Sequence, residues 1–308
     1  MSNQTSTQLV KKETIDIVTA KVKQFQNNGE LFFPPNYSPE NALKSGWLML
    51  QEVQDKSFKP ALQVCTKESI ANALLSMVVQ GLNPDKKQCY FIVYGNKLQM
   101  QRSYFGSMVV AKAVDPDVDE IVADVVYEGD EFEYSKVRGR NIVTKHVQKL
   151  ENVQKDKITA AYCIVVYRSG KEEATIMTMD EIKQSWMQSK MKPVDEKGNI
   201  KADSTHGKFS AEMCKKTVIN KACKPIINSS DDGNILARFA KQEYADIAEA
   251  EAEDEINEYA NSEVIDIESS EVDEPVQGEQ ETPEAGPEPD QVTMDTPSTG
   301  SKRRDRGF

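Results

Sequence analysis

Strand-like segments occupy one continuous block of the sequence, and helical periodicity lies before and after it. The block contains five runs rich in β-branched and aromatic residues: EIVADVVYE, EFEYSKV, NIVTKHV, TAAYCIVVYR and EATIMTM. Strands that alternate with helices predict a parallel sheet, whereas strands that follow one another predict antiparallel pairing. We therefore expect an α+β fold with a central antiparallel sheet and a β-hairpin, flanked by helices.

A tight turn marks the hairpin. The segment QCYFIVYGNKLQMQ, residues 88–101, reads as two strands about Gly95-Asn96. A two-residue loop that contains glycine is the usual hairpin signal. Alternation gives the first strand two faces, one with Tyr90, Ile92 and Tyr94 and the other with Phe91 and Val93. We expect one of these faces to be buried.

Helical patterns flank the block. The clearest, from Leu9 to Phe25, has apolar residues three or four apart and stops at Asn27-Asn28-Gly29. Ser38 or Glu40 is expected to open a second helix, and Thr66 to cap a third. Further helical patterns lie near residues 107–114, 180–189, 210–223 and 235–259. The polar stretch 191–208 predicts a mobile linker.

Charge is distributed unevenly along the 308 residues. The chain has 38 basic and 50 acidic residues, but residues 246–297 hold 19 acidic residues and no Lys or Arg. Residues 1–245 then carry 34 basic and 30 acidic residues, a net charge of +4. Residues 262–308 are rich in Pro, Gly and Glu, which predicts disorder. Such a tail could keep the protein soluble, compete for its own basic groove or dock partner proteins.

The sequence contains no motif that is typical of nucleotide binding or of a nucleophilic serine. No GxxxxGK[ST], GxGxxG or GxSxG motif occurs, and the five cysteines and two histidines lack zinc-ligand spacing. The odd cysteine count and the absence of an apolar run of about 18–20 residues indicate a cytoplasmic protein without a membrane span. We therefore expect a protein that is not an enzyme and that uses no cofactor and no metal.

One enzymatic alternative stays open, a metal-dependent nuclease. Such an enzyme needs clustered carboxylates, and the sequence is dense in them here: Asp117, Asp119, Glu120, Asp124, Glu128, Asp130, Glu131 and Glu133. Charges at a turn and at the start of a strand are more commonly a solvated face. A third reading is a protein that passively coats single-stranded DNA.

Two basic segments favour nucleic acid as the ligand. Residues 136–157 hold seven Lys or Arg against two acids, and residues 183–224 hold ten lysines against four acids. Clusters of this kind neutralise phosphates and release counterions. Aromatic residues in and after the hairpin lie beside Arg102 in the sequence, and aromatics of this kind can stack on unpaired bases.

Five segments, in order between about residues 71 and 230, resemble the RecT/Red-beta family of phage single-strand annealing recombinases. They are ALLSMVVQGLNP, QCYFIVYGNKLQMQ, DVVYEGDEF, AAYCIVVYRSGKEEATIMTMDEIKQ and GKFSAEMCKKTVINKACK. Two segments depart from the family pattern. Ser103-Tyr104-Phe105-Gly106 stands where the family often has Gly-Tyr-Arg-Gly, and His206-Gly207-Lys208-Phe209 replaces Gly-Pro-Trp.

The resemblance implies annealing of complementary single strands without ATP by a homo-oligomer, either a ring or a helical filament. It also implies binding of both single-stranded DNA and the annealed duplex through backbone phosphates. The implied partners are a 5′–3′ exonuclease and a host single-strand binding protein, met through the C-terminal region. The implied setting is the cytoplasm of a bacterial cell that carries a phage or prophage.

These arguments yield a set of DNA-binding candidates. For phosphates they are Arg102, Lys112, Arg138, Arg140, Lys145, Lys215, Lys216 and Lys221, and for bases they are Tyr94 and Tyr104. We expect residues 61–245 to form the DNA-binding core and residues 246–308 an acidic helix and tail. Residues 1–60 are expected to form a helical segment for subunit contacts, with core packing as an equal alternative.

Overall fold

The computed structural model describes residues 2–188, 192–230, 233–243 and 245–246, with side chains from residue 11 onward. Contacts divide the chain into two units, Met1–Glu263 and Val264–Phe308, and every described residue belongs to the first. The predicted disordered tail, 262–308, lies outside the described residues, as does most of the helical pattern at 235–259.

Four helices precede the strands, and two of them begin at the predicted caps. They are α1 (Ser2–Asn27), α2 (Pro39–Leu50), α3 (Ala61–Val64) and α4 (Lys67–Val79). Ser38 accepts a hydrogen bond from the Asn41 amide, and Thr66 accepts one from the Ser69 amide at 3.2 Å. The predicted N-cap at Thr66 is confirmed, and of the two residues considered for the start of α2, Ser38 is the N-cap.

The hairpin consists of β1 (Cys89–Tyr94) and β2 (Lys97–Arg102), joined through Gly95 with a φ of 55°. A positive φ at the first turn residue matches the twist of the two strands and is natural for glycine. Phe91 and Val93 are buried, whereas Tyr90 is 46% exposed. The predicted division of the hairpin into a buried and an exposed face is therefore confirmed.

The main sheet has five antiparallel strands in the order β3-β6-β7-β5-β4. The strands are β3 (Val118–Tyr127), β4 (Glu131–Val137), β5 (Arg140–Val147), β6 (Ile158–Tyr167) and β7 (Glu172–Thr178). All five match the predicted runs, and the α+β class is confirmed. The sheet is antiparallel because its strands follow one another without intervening long helices.

Four more helices complete the named elements: α5 (Tyr104–Val114), α6 (Met179–Met187), α7 (Thr205–Lys208) and α8 (Ser210–Asn228). α8 packs across β3, β6 and β7. Its Cys214, Val218 and Ala222 are buried and belong to the same core as Cys163 and Val165 of β6. The packing of α8 on the sheet fixes the rotation of this helix about its own axis. The directions of its remaining side chains follow from that rotation.

The helix end predicted along this stretch is corrected. α8 continues to Asn228 through Pro225, whereas the sequence pattern ended it at Cys223. Proline lacks an amide hydrogen and disfavours a helix interior, but only one short turn follows Pro225, and the buried Ile227 anchors that turn. The stretch predicted to be a mobile linker contains α7 and a tight turn, in which the Asp195 carboxylate accepts hydrogen bonds from two backbone amides.

The N-terminal helices pack into the same core. Val18 and Val22 of α1 and Trp47 and Leu50 of α2 are buried, and α1 lies against α4. This packing supports a core role for part of residues 1–60. The role of residues 1–60 in subunit contacts stays a prediction.

The chain just before the hairpin lies so close to α5 that it leaves little space at Gly106. A Cβ atom at this position would clash with the carbonyl oxygen of Gln88, just before β1.

The five cysteines are buried free thiols, and burial raises the pKa of Cys89 to about 12. Among the described helices, none combines the length and apolar character that a bilayer span requires.

Candidate nucleic-acid interface

One side of α8 lines an open groove of about 820 Å³, which we call the α8 groove. Its walls come from α6, α7, α8 and the end of β2. The polar side chains that argue for a ligand are Gln101, Gln184, Lys216, Asn220, Lys221 and Lys224. Ammonium and amide groups of this kind suit phosphate and sugar oxygens.

The lysines reach the groove because of helical spacing. Lys216, Asn220 and Lys224 follow one another at intervals of four and therefore share a side of α8. Lys221 lies beside them, and its Nζ is 4.0 Å from the Glu181 carboxylate, with both side chains half exposed. An ion pair this exposed contributes little, so Lys221 can exchange the carboxylate for a phosphate.

Two aromatic rings form the floor beside Lys216. The Trp186 indole N–H donates to Thr217 Oγ1 at 2.8 Å, and its ring lies 4.6 Å from the His206 ring in an edge-on arrangement. Both rings are buried. Burial, and then the nearby Lys216 ammonium, lower the pKa of His206 below 6.5. His206 is therefore neutral at pH 7, and the positive charge of this part of the groove comes from the lysines.

The exposed face of the hairpin continues from the groove. Gln101, which lines the groove, pairs with Tyr90 across the two strands, and Gln99 pairs with Ile92. Gln101 also donates to the Tyr94 hydroxyl at 2.8 Å. A basic groove and a strand face that carries aromatic rings therefore share one surface, which is the combination that holds single-stranded nucleic acid.

The family model of the RecT family matches residues 40–261, which is more than half of the chain. The chain belongs to the RecT family. It is therefore a DNA-binding recombination protein of the single-strand annealing type. Comparison with curated protein sequences gave no significant match.

In this RecT-family chain, the structure brings only part of the predicted DNA-binding set together. Lys216 and Lys221 line the α8 groove, and Tyr94 lies on the adjoining hairpin face. Tyr104 begins α5, with its ring centroid 4.0 Å from that of Phe105, and burial and then Glu212 raise its pKa. Lys216, Lys221 and Tyr94 define one candidate surface, whereas Tyr104 is not among the residues that line the groove.

Arg102 is placed differently from the prediction. Its side chain is 2% exposed, and its Nε lies 3.4 Å from the Glu243 carboxylate. Nη1 donates to Gln80 Oε1 at 2.7 Å, and Nη2 donates to the Ala240 carbonyl at 3.1 Å. These contacts join the hairpin to the helical residues 235–243. Arg102 is also among the residues that line the α8 groove, but its guanidinium is engaged in these buried contacts, so we leave it out of the proposed interface.

The remaining basic candidates belong to other surfaces. Lys112 Nζ donates to the Asp119 carbonyl at 2.5 Å, and Lys145 Nζ lies 2.6 Å from the Glu131 carboxylate. Arg138 lies in the β4–β5 turn, and the neighbouring Arg140 approaches Glu173 at 4.0 Å. These four residues are not among those that line the α8 groove.

Lys224, Asn220 and Gln184 are groove residues that the sequence analysis did not select. The spacing of Lys216, Asn220 and Lys224 was a usable signal, because residues four apart lie on one side of a helix. The sequence analysis counted Lys224 in the basic segment 183–224 but did not use this spacing. Gln184 gives no such signal, since its approach to the groove depends on how α6 packs.

The carboxylate cluster considered for a nuclease contains a fully engaged residue, Asp130. Its buried carboxylate accepts hydrogen bonds from the Tyr127 amide, from Gln148 and from Asn152, at 2.8–3.0 Å. Desolvation raises its pKa, but these donors and His146 hold the pKa below 3.8. Among the described residues, no three His, Cys, Asp or Glu side chains are placed to share a metal ion. The geometry makes Asp130 an anchor of the β3–β4 turn.

Proposed function

We propose that this protein anneals complementary DNA strands without ATP and that the α8 groove holds the strand backbone. The observation that carries the proposal is the alignment of Lys216, Lys221 and Lys224 along one groove. Family membership supports the annealing activity. The placement of the DNA in the groove rests on charge and geometry.

The chemistry of the groove suits backbone binding. Lysine ammonium groups neutralise phosphates, and the amides of Gln101, Gln184 and Asn220 offer donors to phosphate and sugar oxygens. Such contacts bind any sequence with similar affinity, which a protein that anneals arbitrary strands requires. Exposed Tyr90, on the adjoining hairpin face, offers a stacking surface for a base.

Annealing can proceed on binding energy alone. If the protein binds the paired product more tightly than the separated strands, mass action drives pairing without a chemical fuel. This mechanism makes the protein a binding protein rather than an enzyme, with no cofactor. Its DNA partners are then single strands and the newly annealed duplex.

The oligomer and the protein partners that we propose are those that the family resemblance implies. We propose a homo-oligomer, as a ring or a filament, with the outer side of α1 as a subunit contact. Ile17 on α1 is 61% exposed and borders an apolar cleft with Ala71 and Leu75 of α4. Ile17→Asp should reduce the particle size in gel filtration, and an unchanged size would remove α1 from the subunit contact.

A 5′–3′ exonuclease and a host single-strand binding protein are the proposed protein partners, met through the C-terminal region. The acidic stretch 246–297 is the segment that this proposal uses. Removal of the stretch should abolish co-purification with the exonuclease while DNA binding persists.

The decisive experiment measures pairing of two complementary oligonucleotides, one preloaded with protein, without ATP. The wild-type protein should accelerate pairing over naked DNA. Lys216→Ala with Lys221→Ala should slow pairing and lower single-strand affinity by about 5-fold per lysine. The slope of log affinity against log salt should flatten by about 1.4, since each lost phosphate contact removes about 0.7.

Lys171→Ala serves as the matched control, because Lys171 lies in the β6–β7 connection and pairs with Glu173. This variant should retain the wild-type slope. An unchanged slope in the double variant would remove the α8 groove from the DNA site. Protection of the preloaded strand without pairing would instead indicate a passive coating protein.

A further inference from the structure

Phe58 combines two unusual properties. Its backbone has a φ of 62°, in the left-handed region, and its side chain is 81% exposed. For a bulky residue this conformation is an outlier, because the Cβ approaches the neighbouring carbonyl oxygen. Packing within the chain does not offset that strain, since most of the ring lies in solvent.

The rest of the turn is rigidly built. The Asp55 carboxylate accepts hydrogen bonds from the amides of Ser57 and Lys59, both at 2.8 Å. The Asp55 amide donates to the Lys59 carbonyl at 2.9 Å, and the Phe58 amide donates to the Asp55 carbonyl at 3.1 Å. The turn therefore fixes the direction of the Cα–Cβ bond of Phe58.

A second copy of this turn occurs in the same molecule with glycine in the strained position. Asp195 accepts from the amides of Lys197 and Asn199, and Gly198 has a φ of 81°. The bridges Gln54↔Pro60 and Val194↔Ile200 close the two turns in the same way. Glycine adopts a positive φ without strain. The turn itself therefore does not require an aromatic residue, and the presence of Phe58 needs another reason.

Charge distinguishes the two turns further. Exposed Lys56 and Lys59 lie two residues before and one residue after Phe58, whereas Glu196 and Asn199 hold the equivalent places around Gly198. Lys197 stands where the first turn has Ser57, so the first turn carries a net charge of +1 and the second a net charge of −1. An exposed ring between two lysines suits a partner that offers both a flat apolar face and negative charge. Single-stranded DNA has these features, in its unpaired bases and its phosphates.

We propose that Phe58 stacks on an unpaired base of single-stranded DNA, with Lys56 and Lys59 beside the adjacent phosphates. The proposal rests on the proposed function, because it adds a contact on the same strand outside the α8 groove. Strain at such a position is tolerated when the side chain contributes to binding.

Variants at Phe58 separate binding from folding. Phe58→Ala should lower affinity for a fluorescein-labelled oligo-dT strand by about 5- to 150-fold, the effect of losing one stacked base. Phe58→Tyr should retain affinity, because it keeps the aromatic face. Phe58→Gly should lower affinity while raising Tm by about 2–4 °C, since glycine relieves the strain. A loss of affinity together with a lower Tm in this variant would overturn the proposal.

Photocrosslinking identifies the contact directly. A strand that carries 5-iododeoxyuridine should crosslink to Phe58 on irradiation, with the adduct mapped by mass spectrometry. The Lys216→Ala, Lys221→Ala variant makes the two proposals distinguishable. If that variant loses affinity while Phe58→Ala retains it, the inference about Phe58 fails and the proposed function stands. If the groove variant retains affinity, the proposed interface fails.

A second copy of the chain is the competing partner for the ring. Gel filtration of Phe58→Ala at several protein concentrations tests this. A smaller oligomer without a crosslink at Phe58 would assign the residue to a subunit contact and overturn the proposal. An unchanged oligomer with a crosslink would support stacking on DNA.

Discussion

Lys215 and Lys216 are adjacent in the sequence, yet they lie in different surroundings on α8. Lys215 Nζ is 2.6 Å from the Glu212 carboxylate, and its side chain is 29% exposed. Lys216 lines the α8 groove. A hydrogen bond to Glu212 raises the pKa of Lys215. Lys215 therefore carries a positive charge that the Glu212 carboxylate already balances. Adjacent helical residues point about 100° apart, which accounts for the separation.

This difference predicts unequal effects of two neighbouring substitutions. Lys216→Ala should lower single-strand affinity by about 5-fold, whereas Lys215→Ala should change it by less than about 2-fold. Fluorescence anisotropy at several salt concentrations measures both. A larger effect from Lys215→Ala would place the DNA on the side of α8 that carries Lys215.

Loss of Glu243 should destabilise the fold. Arg102 would then be buried beside an empty space, and breaking a buried pair by removing one partner costs about 3–5 kcal/mol. Urea unfolding of Glu243→Ala measures this loss. Arg102→Met combined with Glu243→Leu should recover most of it, because neither charge is then buried alone. If the single variant loses less than about 1 kcal/mol, the pair is not important for stability.

The pKa of His206 should report the approach of Lys216. Since folding lowers this pKa below 6.5, the stabilisation that His206 provides is present above pH 6.5 and is lost as the pH falls through the folded-state value. An NMR titration of the imidazole should give a pKa below 6.5 in the wild type and a higher value in Lys216→Gln. Lys215→Ala is the control and should leave it unchanged.

Asp130→Asn tests whether this carboxylate anchors a turn or serves catalysis. Loss of the charged acceptor should destabilise the protein by about 1–3 kcal/mol at pH 7. Because the folded-state pKa lies below 3.8, the contribution of Asp130 is present above pH 3.8 and is lost as the pH falls through the folded value. Unfolding of the variant should therefore depend less on pH in acid. Magnesium-dependent DNA degradation that disappears in the variant would favour the nuclease instead.

Local features of the fold could be predicted from the sequence. The caps at Ser38 and Thr66 and the Gly95 turn depend on neighbouring residues, so a short stretch of sequence contains all the necessary information. The strand order could not be predicted, because β3 pairs with β6 and β5 pairs with β7 through contacts that are distant in sequence.

The candidate site was predictable in part for the same reason. Lys216 and Lys221 were selected from local charge, and Lys224 was counted in the same basic segment without being selected. Arg102 has the sequence context of a phosphate ligand, and its buried contacts, including that with a residue 141 positions away, give it another role. The positive φ of Phe58 could not be predicted, because bulky residues rarely adopt this conformation.

The distance in sequence between Arg102 and Glu243 also affects how the chain folds during its synthesis on the ribosome. The hairpin and the five-stranded sheet emerge before the residues that neutralise the Arg102 guanidinium, so an early intermediate has to keep that group hydrated. The interior around the end of β2 can close only after residue 243 has been synthesised. We therefore expect nascent chains that stop before this position to remain sensitive to proteases near β2, and chains that extend beyond it to become resistant.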